Sequence, residues 1–166
     1  MSKERIETLA LALCIAVLPP LWAVISPYLS IQVGGIALIC AGLYVASGND
    51  NKNALKISIG FLLGDLWAVI ALKLMAILPF GADLNTFTTL FILGFIGVII
   101  ASKFSKIIYC PSLLCGWAIG LSFMGPLGVE GIGNMPIQIG VSMLVGVWYV
   151  GVFLDIVHKK LIKIFL

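Results

Sequence analysis

The sequence predicts an all-α membrane protein with six transmembrane helices, arranged as two inverted three-helix repeats. Two observations predict this fold class. The 166 residues are 61% hydrophobic and 10% charged, with a mean hydropathy of +1.19, which is far from the composition of a soluble globular domain. The apolar residues also form long runs without the strict alternation of β-strands, as expected for helices that span a bilayer.

Positive charges set the orientation predicted for these helices. Every second gap between the apolar runs is basic, whereas the alternate gaps hold Asp83 and Glu130 and no basic residue. Because cytoplasmic loops carry the excess of lysine and arginine, both termini are predicted to be cytoplasmic. We expect the bases to meet anionic lipid headgroups and not nucleic acid. The basic residues of these gaps are Lys3, Arg5, Lys52, Lys56, Lys103, Lys106, Lys159, Lys160 and Lys163.

One polytopic domain, residues 1–166, accounts for the whole chain. Six helices of about 20 residues use roughly 120 positions, so no sizeable extramembrane domain remains. Pro19-Pro20 stands where a signal peptide would have a small-residue cleavage site, and we therefore expect a retained first helix. The predicted spans run from Thr8 to Tyr28, Ile31 to Ser47, Leu55 to Phe80, Phe87 to Ala101, Ile107 to Met124 and Pro136 to Val157.

A weak internal similarity supports the inverted repeat, with residues 8–80 and 87–157 as its halves. Three spans in each half make the halves run in opposite senses, an architecture of many transporters and channels whose site lies near the midplane. A glycine-led segment precedes an I-x-I-G segment and a tryptophan in both halves. The paired segments are Gly42-Leu43-Tyr44-Val45 with Gly120-Leu121-Ser122-Phe123, Ile57-Ser58-Ile59-Gly60 with Ile137-Gln138-Ile139-Gly140, and Trp67 with Trp148.

Several of these spans also carry a family resemblance. The features are a glycine- and aromatic-rich second span (35–48), a polar loop (49–53), Gly64-Asp65-Leu66-Trp67-Ala68 in the third span, and Pro111 followed by Gly116 in the fifth. In these features the chain resembles the uncharacterised bacterial inner-membrane family typified by YcdZ. The resemblance implies a multi-helix protein of the bacterial inner (cytoplasmic) membrane and supplies no activity. Leu121 and Ser112-Leu113 depart from the family pattern, which puts ligand contacts of that segment in doubt.

Asp65 is the strongest candidate for a functional side chain. It lies near the middle of the third predicted span with no charged residue beside it, where a carboxylate costs about 2.5–3.5 kcal/mol. We expect it to face the bundle interior as a substrate or proton site. The alternative is an interhelical hydrogen-bonding residue. Lys73, further along the same helix, is expected to reach the headgroups by snorkelling or to line an outer vestibule.

Other polar residues are assigned to a substrate path and its gates. Trp67, Tyr44, Ser47 and Ser122 are predicted to contribute to substrate binding near the surface between the repeats. Asp155 and His158 lie one turn apart at the inner end of the sixth span. They are predicted to act in gating or in a proton relay, and the alternative is an interfacial anchor beside the neighbouring lysines.

Prolines and glycines predict where the helices bend and where they touch. Pro19, Pro20 and Pro111 remove helical hydrogen bonds at membrane depth, and the carbonyls freed in broken helices can coordinate substrates or ions. Such prolines also occur as plain kinks. The small-xxx-small pairs Gly60 with Gly64 and Gly116 with Gly120 predict close helix packing.

These features favour a channel or secondary transporter for a small polar or weakly charged solute. Its site is expected between the inverted halves near the midplane, and a homo-oligomer is plausible because six short spans enclose little volume. The alternative is a non-transporting membrane scaffold or a partner subunit of a larger complex. No enzyme is predicted, because the sequence offers no nucleophile–base pair. We expect no cofactor and no metal site, because one histidine with scattered carboxylates does not form a usual metal site.

The predicted orientation is tested by cysteine labelling. Ser47→Cys, in a background that lacks the native cysteines, should react with a membrane-impermeant thiol reagent only from the cytoplasmic side. Labelling from the outside would overturn the orientation.

Overall fold

A computed structural model describes residues 3–165, and all regular secondary structure in that range is helical. The helices are α1 (Lys3–Ile25), α2 (Ile36–Ala46), α3 (Asn51–Ile77), α4 (Ala82–Lys103), α5 (Cys110–Met124), α6 (Gly128–Gly131), α7 (Met135–Val145) and α8 (Leu154–Phe165). A π-helical segment, Gly146–Phe153, joins α7 to α8 without a break. Short 3₁₀ turns, Ser26–Leu29 and Gly125–Leu127, follow α1 and α5. The predicted all-α fold is therefore confirmed.

Five helices of the described range are long and apolar enough to cross a membrane. They are Glu4–Leu29, Asn51–Ile77, Ala82–Lys103, Cys110–Gly131 and Met135–Ile164. This supports a multi-pass membrane protein. Many large apolar side chains on the outside of the bundle are exposed, which fits contact with lipid because the bilayer core is as apolar as they are.

The second predicted span is much shorter than expected. α2 has 11 residues and rises only about 16 Å, roughly half of the ~30 Å hydrocarbon core. Residues 30–35 before it are not helical, and two of their backbone groups bond to side chains from other parts of the chain. The Gln32 N–H donates to Gln138 Oε1 (2.9 Å), and Trp22 Nε1 donates to the Gly34 carbonyl (3.0 Å). Irregular backbone at membrane depth requires such internal partners.

The fourth span begins earlier than predicted, at Ala82 and not at Phe87. Asn85 explains the difference, because its side chain closes the turn between α3 and α4. Nδ2 donates to the carbonyls of Met75 (3.1 Å) and Leu78 (2.6 Å), and Oδ1 accepts from the Phe80 N–H (3.0 Å). A polar residue predicted to lie in a loop is therefore buried within the fourth helix.

Pro19-Pro20, where a helix break is predicted, lies inside α1. α1 passes through both prolines without interruption, because the φ angle fixed by the proline ring lies in the helical range. The loss of hydrogen bonding is confined to one turn, because only the carbonyls of Ile15 and Ala16 lose their helical donors. Pro111 instead lies in the first turn of α5, where a missing N–H disturbs no helical bond. It marks a helix start.

α3 and α5 form the closest helix pair of the bundle, and glycines make this contact possible. A Cβ added at Gly64 would overlap the carbonyl oxygen of Leu113, and one at Gly116 would lie 2.5 Å from the carbonyl oxygen of Phe61. Both backbones therefore touch without side chains between them. The packing role predicted for the small-xxx-small pairs is confirmed, and it operates within one chain.

A second close pair joins α2 to the π-helical segment. A Cβ at Gly146 would overlap the carbonyl oxygen of Ala37, and one at Gly151 would lie 2.7 Å from the ring of Tyr44. α1 and α4 lie at the periphery: α1 packs on α8, and α4 packs on α3 and α5. One aligned pair of the two halves differs in environment, however. Gly42 faces open space, whereas Gly120 is buried against Ala68.

Replacing Gly64 tests the α3–α5 contact. Gly64→Ala should lower the free energy of unfolding by about 1–3 kcal/mol, because overpacking forces the helices apart. Gly42→Ala is the matched control. It meets no atom within 4 Å and should leave stability unchanged or slightly raised, since alanine favours the helix. The measurement is unfolding of the purified protein in a detergent titration, and equal midpoints for the two variants would contradict the contact.

Candidate functional site

Asp65 lies inside the bundle where three helices meet. It occupies the middle of the 27-residue α3 and is 6% exposed. A Cβ added at Gly120 on α5 would lie 3.3 Å from Asp65 Oδ1, and one at Gly140 on α7 would lie 4.0 Å from Oδ2. The carboxyl group is therefore placed between two glycines, one on each neighbouring helix. The prediction that Asp65 faces the interior agrees with this position.

The surroundings of this carboxyl group are apolar. Asp65 Oδ1 is enclosed and has no hydrogen-bond partner among the described residues. Ala68 Cβ and Met124 Cε lie beside the Gly120 position, and Leu62 Cδ2 lies beside Gly140. Over residues 3–165 the structure contains an ion pair for Asp155 but none for Asp65. An ionisable group in this setting, within a membrane-crossing helix, is by default a candidate functional site.

The packing of α3 on α5 explains why the carboxyl group meets Gly120. Gly64 and Gly116 bring the two backbones into contact just before Asp65. One turn further along α5, Gly120 has no side chain to fill the space in front of the carboxyl oxygen. Gly140 leaves the corresponding space on α7. The glycines therefore determine both the closeness of the helices and the fit of the Asp65 carboxyl group between them.

The structure does not bring the predicted substrate-binding residues together at Asp65. Trp67 points away toward α4, and its Nε1 donates to the Leu93 carbonyl (3.0 Å). Ser122 and Lys73 are exposed on the outside of the bundle. Ser122 follows Gly120 by two residues, so it lies on a different face of α5 from the one that meets Asp65.

Tyr44 and Ser47 lie at the end of the bundle where α2 ends and α3 begins. We call Tyr44, Asn49, Asn51, Asp155 and Lys159 the polar end cluster. The fully buried Tyr44 donates from its hydroxyl to Asn51 Oδ1 (2.6 Å), and Asn49 Nδ2 donates to Asp155 Oδ1 (2.7 Å). Lys159 pairs with the other oxygen of Asp155. This cluster connects the α2–α3 loop to α8.

Ser47 and His158 make local contacts beside the polar end cluster. The Ser47 hydroxyl donates to the Tyr44 carbonyl (2.7 Å) at the end of α2. His158 Nε2 lies 3.1 Å from the carbonyl oxygen of Glu7. It donates to this oxygen in the tautomer that carries the proton on Nε2, and so joins α8 to α1. Asp155 and His158 thus hold different partners, although they lie one turn apart.

Several site residues were not identified from the sequence. In the sequence Gly140 stands out only through the repeat alignment, and Asn49 and Asn51 only as members of the polar loop. An asparagine in a polar loop is a signal for a turn with a left-handed residue. Asn49 adopts that conformation (φ 54°), which asparagine tolerates well. Trp148, expected only to mark the repeat, donates to the Ser58 hydroxyl (3.0 Å) and so connects the π-helical segment to α3. Thr89 and Ser142 bury hydroxyl groups without partners.

Within residues 3–165 no three His, Cys, Asp or Glu side chains group closely enough to hold a metal ion. The chemistry available at Asp65 is that of a single carboxyl group, which accepts hydrogen bonds and attracts positive charge.

Comparison with known proteins identifies a family without an assigned activity. A family model described as a protein of unknown function (DUF1097) matches residues 12–158. The match includes Asp65, Gly120, Gly140 and all of the polar end cluster except Lys159. It confirms the resemblance to an uncharacterised family, and the likeness to YcdZ stays a prediction. No curated protein and no solved structure matches the chain.

Removal of Asp155 tests the polar end cluster. Asp155→Ala should lower the free energy of unfolding by about 1–3 kcal/mol, because the half-buried amide of Asn49 loses its acceptor. Asp83→Ala, at an exposed position, is the matched control and should change stability little. The measurement is again detergent unfolding of the purified protein. An Asp155→Ala midpoint equal to that of the control would show that the cluster does not hold the loop to α8.

Proposed function

Because the chain belongs to a family of proteins of unknown function (DUF1097), we propose its function from its geometry: a channel or secondary transporter for a small polar or weakly charged solute. The observation that carries the proposal is the buried, unpartnered carboxyl group of Asp65 in the middle of α3. Ionisable residues in membrane spans are expensive and mark substrate or ion pathways. Gly120 on α5 and Gly140 on α7 are the glycines that lie beside its oxygens.

The helix pairing supports two inverted halves. Exchanging the first three spans with the last three maps α1 onto α4, α2 onto α5, and α3 onto the helix formed by α7, the π-helical segment and α8. The α3–α5 contact then corresponds to the contact between the π-helical segment and α2. In the same way, the α1–α8 contact corresponds to the α4–α3 contact. All four contacts occur. Asp65, on α3, meets α5 and α7 of the other half, where the site of an inverted-repeat transporter lies.

We assign the polar end cluster to the cytoplasmic end of the path, in the bacterial inner membrane. Lys52 and Lys160 flank it, and lysine is enriched on the cytoplasmic side. Asp155 holds the α2–α3 loop against α8 through Asn49, so release of this bond would free the loop. Asp155 is the proposed gating residue. His158, which contacts the Glu7 carbonyl, steadies α8 on α1, and Lys73 is a basic side chain toward the opposite end of α3.

A scaffold or partner subunit is the second candidate, and one observation favours it. Phe87, Phe91 and Phe95 form an exposed stripe along α4, and the first two rings stack at 6.0 Å. Such a stripe suits helix contacts with another subunit, including a second copy of this chain. It does not explain the carboxyl group of Asp65, which lies on the inside of the bundle.

Flux measurements test the proposed transport. The protein, reconstituted into liposomes, should pass at least one solute from a panel of small neutral and singly charged compounds. Asp65→Asn keeps the shape of the side chain but removes its ability to ionise, and it should reduce that flux about tenfold or more, the effect of losing roughly 1.4 kcal/mol of interaction. Asp83→Asn, at an exposed position, is the matched control and should transport like the wild type.

Two outcomes would contradict the proposal. Normal flux through folded Asp65→Asn would remove Asp65 from the path. Absence of flux for every solute, with the wild-type protein folded in the liposomes, would favour the scaffold. Folding is checked for each sample by its helical circular dichroism and its detergent-unfolding midpoint.

A further inference from the structure

An apolar groove on the outside of the bundle lies between α1 and α8. Cys14 is buried at its base, whereas Leu13 and Val17 are half-exposed at its edge. His158 Nε2, beside the carbonyl oxygen of Glu7, joins the two helices that form its walls. The groove is therefore open to the surrounding lipid, and its surface suits a hydrocarbon chain. The residues that line it are Leu13, Cys14, Val17, Leu18, Val157 and Leu161.

Basic side chains border this groove on the α8 side. Lys160 follows the lining residue Val157 by three positions, so the two are neighbours on the helix surface. Lys163 follows Lys160 by three positions, and both lysines are exposed. Lys159 is paired with the buried Asp155, whereas within residues 3–165 neither Lys160 nor Lys163 is paired with a carboxylate. Two positive charges at the edge of the groove are thus left for a partner outside this part of the chain.

The amphipathic character of α8 indicates where these lysines lie in the membrane. α8 separates basic from apolar side chains more strongly than α1, α3, α4, α5 or α7. Lys159, Lys160 and Lys163 share one face of the helix, and Val157 and Leu161 share another. A basic amphipathic helix of this kind lies at the membrane–water interface, where its charges attract anionic lipids. The lysines are thereby placed at headgroup level, beside a groove for a hydrocarbon chain.

Two other grooves on the outside of the bundle lack such charges. One lies between α4 and α5 at Leu90 and Trp117, and the other lies between α1 and the π-helical segment at Trp22 and Tyr149. No charged residue lies within four positions of any residue that lines them. Any apolar groove in a membrane can hold an acyl chain, so a chain alone gives no selectivity. Of these three grooves, the one between α1 and α8 combines a place for a chain with positive charge.

We infer that the α1–α8 groove binds one anionic phospholipid, with an acyl chain over Cys14 and the phosphate at Lys160 and Lys163. The headgroup supplies the negative charge that the two lysines lack, and the chain covers the apolar walls. Such a site differs from the general attraction of lysines to headgroups, because it requires both the groove and the charge. It goes beyond the proposed transport and does not require it.

Native mass spectrometry of the full chain, purified in detergent and titrated with dioleoyl phosphatidylglycerol, tests this site. Wild type should bind about one such lipid per chain, and at least fivefold more tightly than dioleoyl phosphatidylcholine, which has the same acyl chains. Lys160→Gln should weaken binding of phosphatidylglycerol about fivefold, the effect of about 1 kcal/mol per lysine at a lipid surface. Lys106→Gln, which removes an equal charge from the exposed α4–α5 loop, is the matched control and should not change it.

A second variant tests the groove without changing any charge. Val17→Phe places a larger side chain in the groove and should weaken phosphatidylglycerol binding about fivefold or more. Val17 is 51% exposed, so the fold should tolerate the substitution. Val24→Phe is the matched control, because Val24 is 63% exposed on the same helix and does not line the groove. It should bind the lipid like the wild type.

Several results would overturn the inference: equal affinity for the two lipids, equal losses in Lys106→Gln and Lys160→Gln, unchanged binding to folded Val17→Phe, or displacement of the lipid by inorganic phosphate. A lipid-free dimer of the wild type that Val17→Phe dissociates would also overturn it, and would identify the groove as an interface between copies of the chain. Failure of the proposed function is a separate result. Absence of flux together with Lys160-dependent binding of phosphatidylglycerol would refute transport and leave the lipid site standing.

Discussion

The close contact between the backbones of α3 and α5 is the constraint on which the rest of the bundle depends. In a membrane, helices gain little from burying apolar side chains, and close packing of small residues holds them together instead. Gly60, Gly64 and Gly116 provide this packing, since a Cβ at any of them would run into the other helix. α3 is thereby placed in the centre, with α4 and α7 against its remaining faces.

This contact also explains why a carboxyl group can be retained in the middle of a span. Two turns of glycine packing position Asp65 opposite Gly120, and α7 adds Gly140 on the other side. A larger residue at Gly120 would fill the space in front of the carboxyl oxygen. The same absence of side chains that draws the helices together therefore allows the carboxyl group to fit between them, and packing and site share one cause.

The sequence predicted some elements well and others poorly, for identifiable reasons. Five of the six spans predicted from the long apolar runs correspond to long apolar helices in the structure, because length and hydropathy suffice to identify a helix in lipid. They failed at α2, where the turn before the helix depends on Gln138, a residue more than a hundred positions away. At Pro19-Pro20 the apolar run continues through both prolines, as α1 does, although a proline permits a kink as well as a helix.

The amino-acid sequence by itself determined the all-helical, membrane-type character of this protein and the candidacy of Asp65. Both follow from composition and from the cost of a charge in a run of apolar residues. Only the tertiary structure decided which side chains surround Asp65. It placed Gly120 and Gly140 there, turned Trp67 toward α4, and gathered Tyr44 and Asp155 at one end of the bundle. The physical reason is that helix rotation and crossing are set by contacts between distant residues, and spacing along the chain does not contain them.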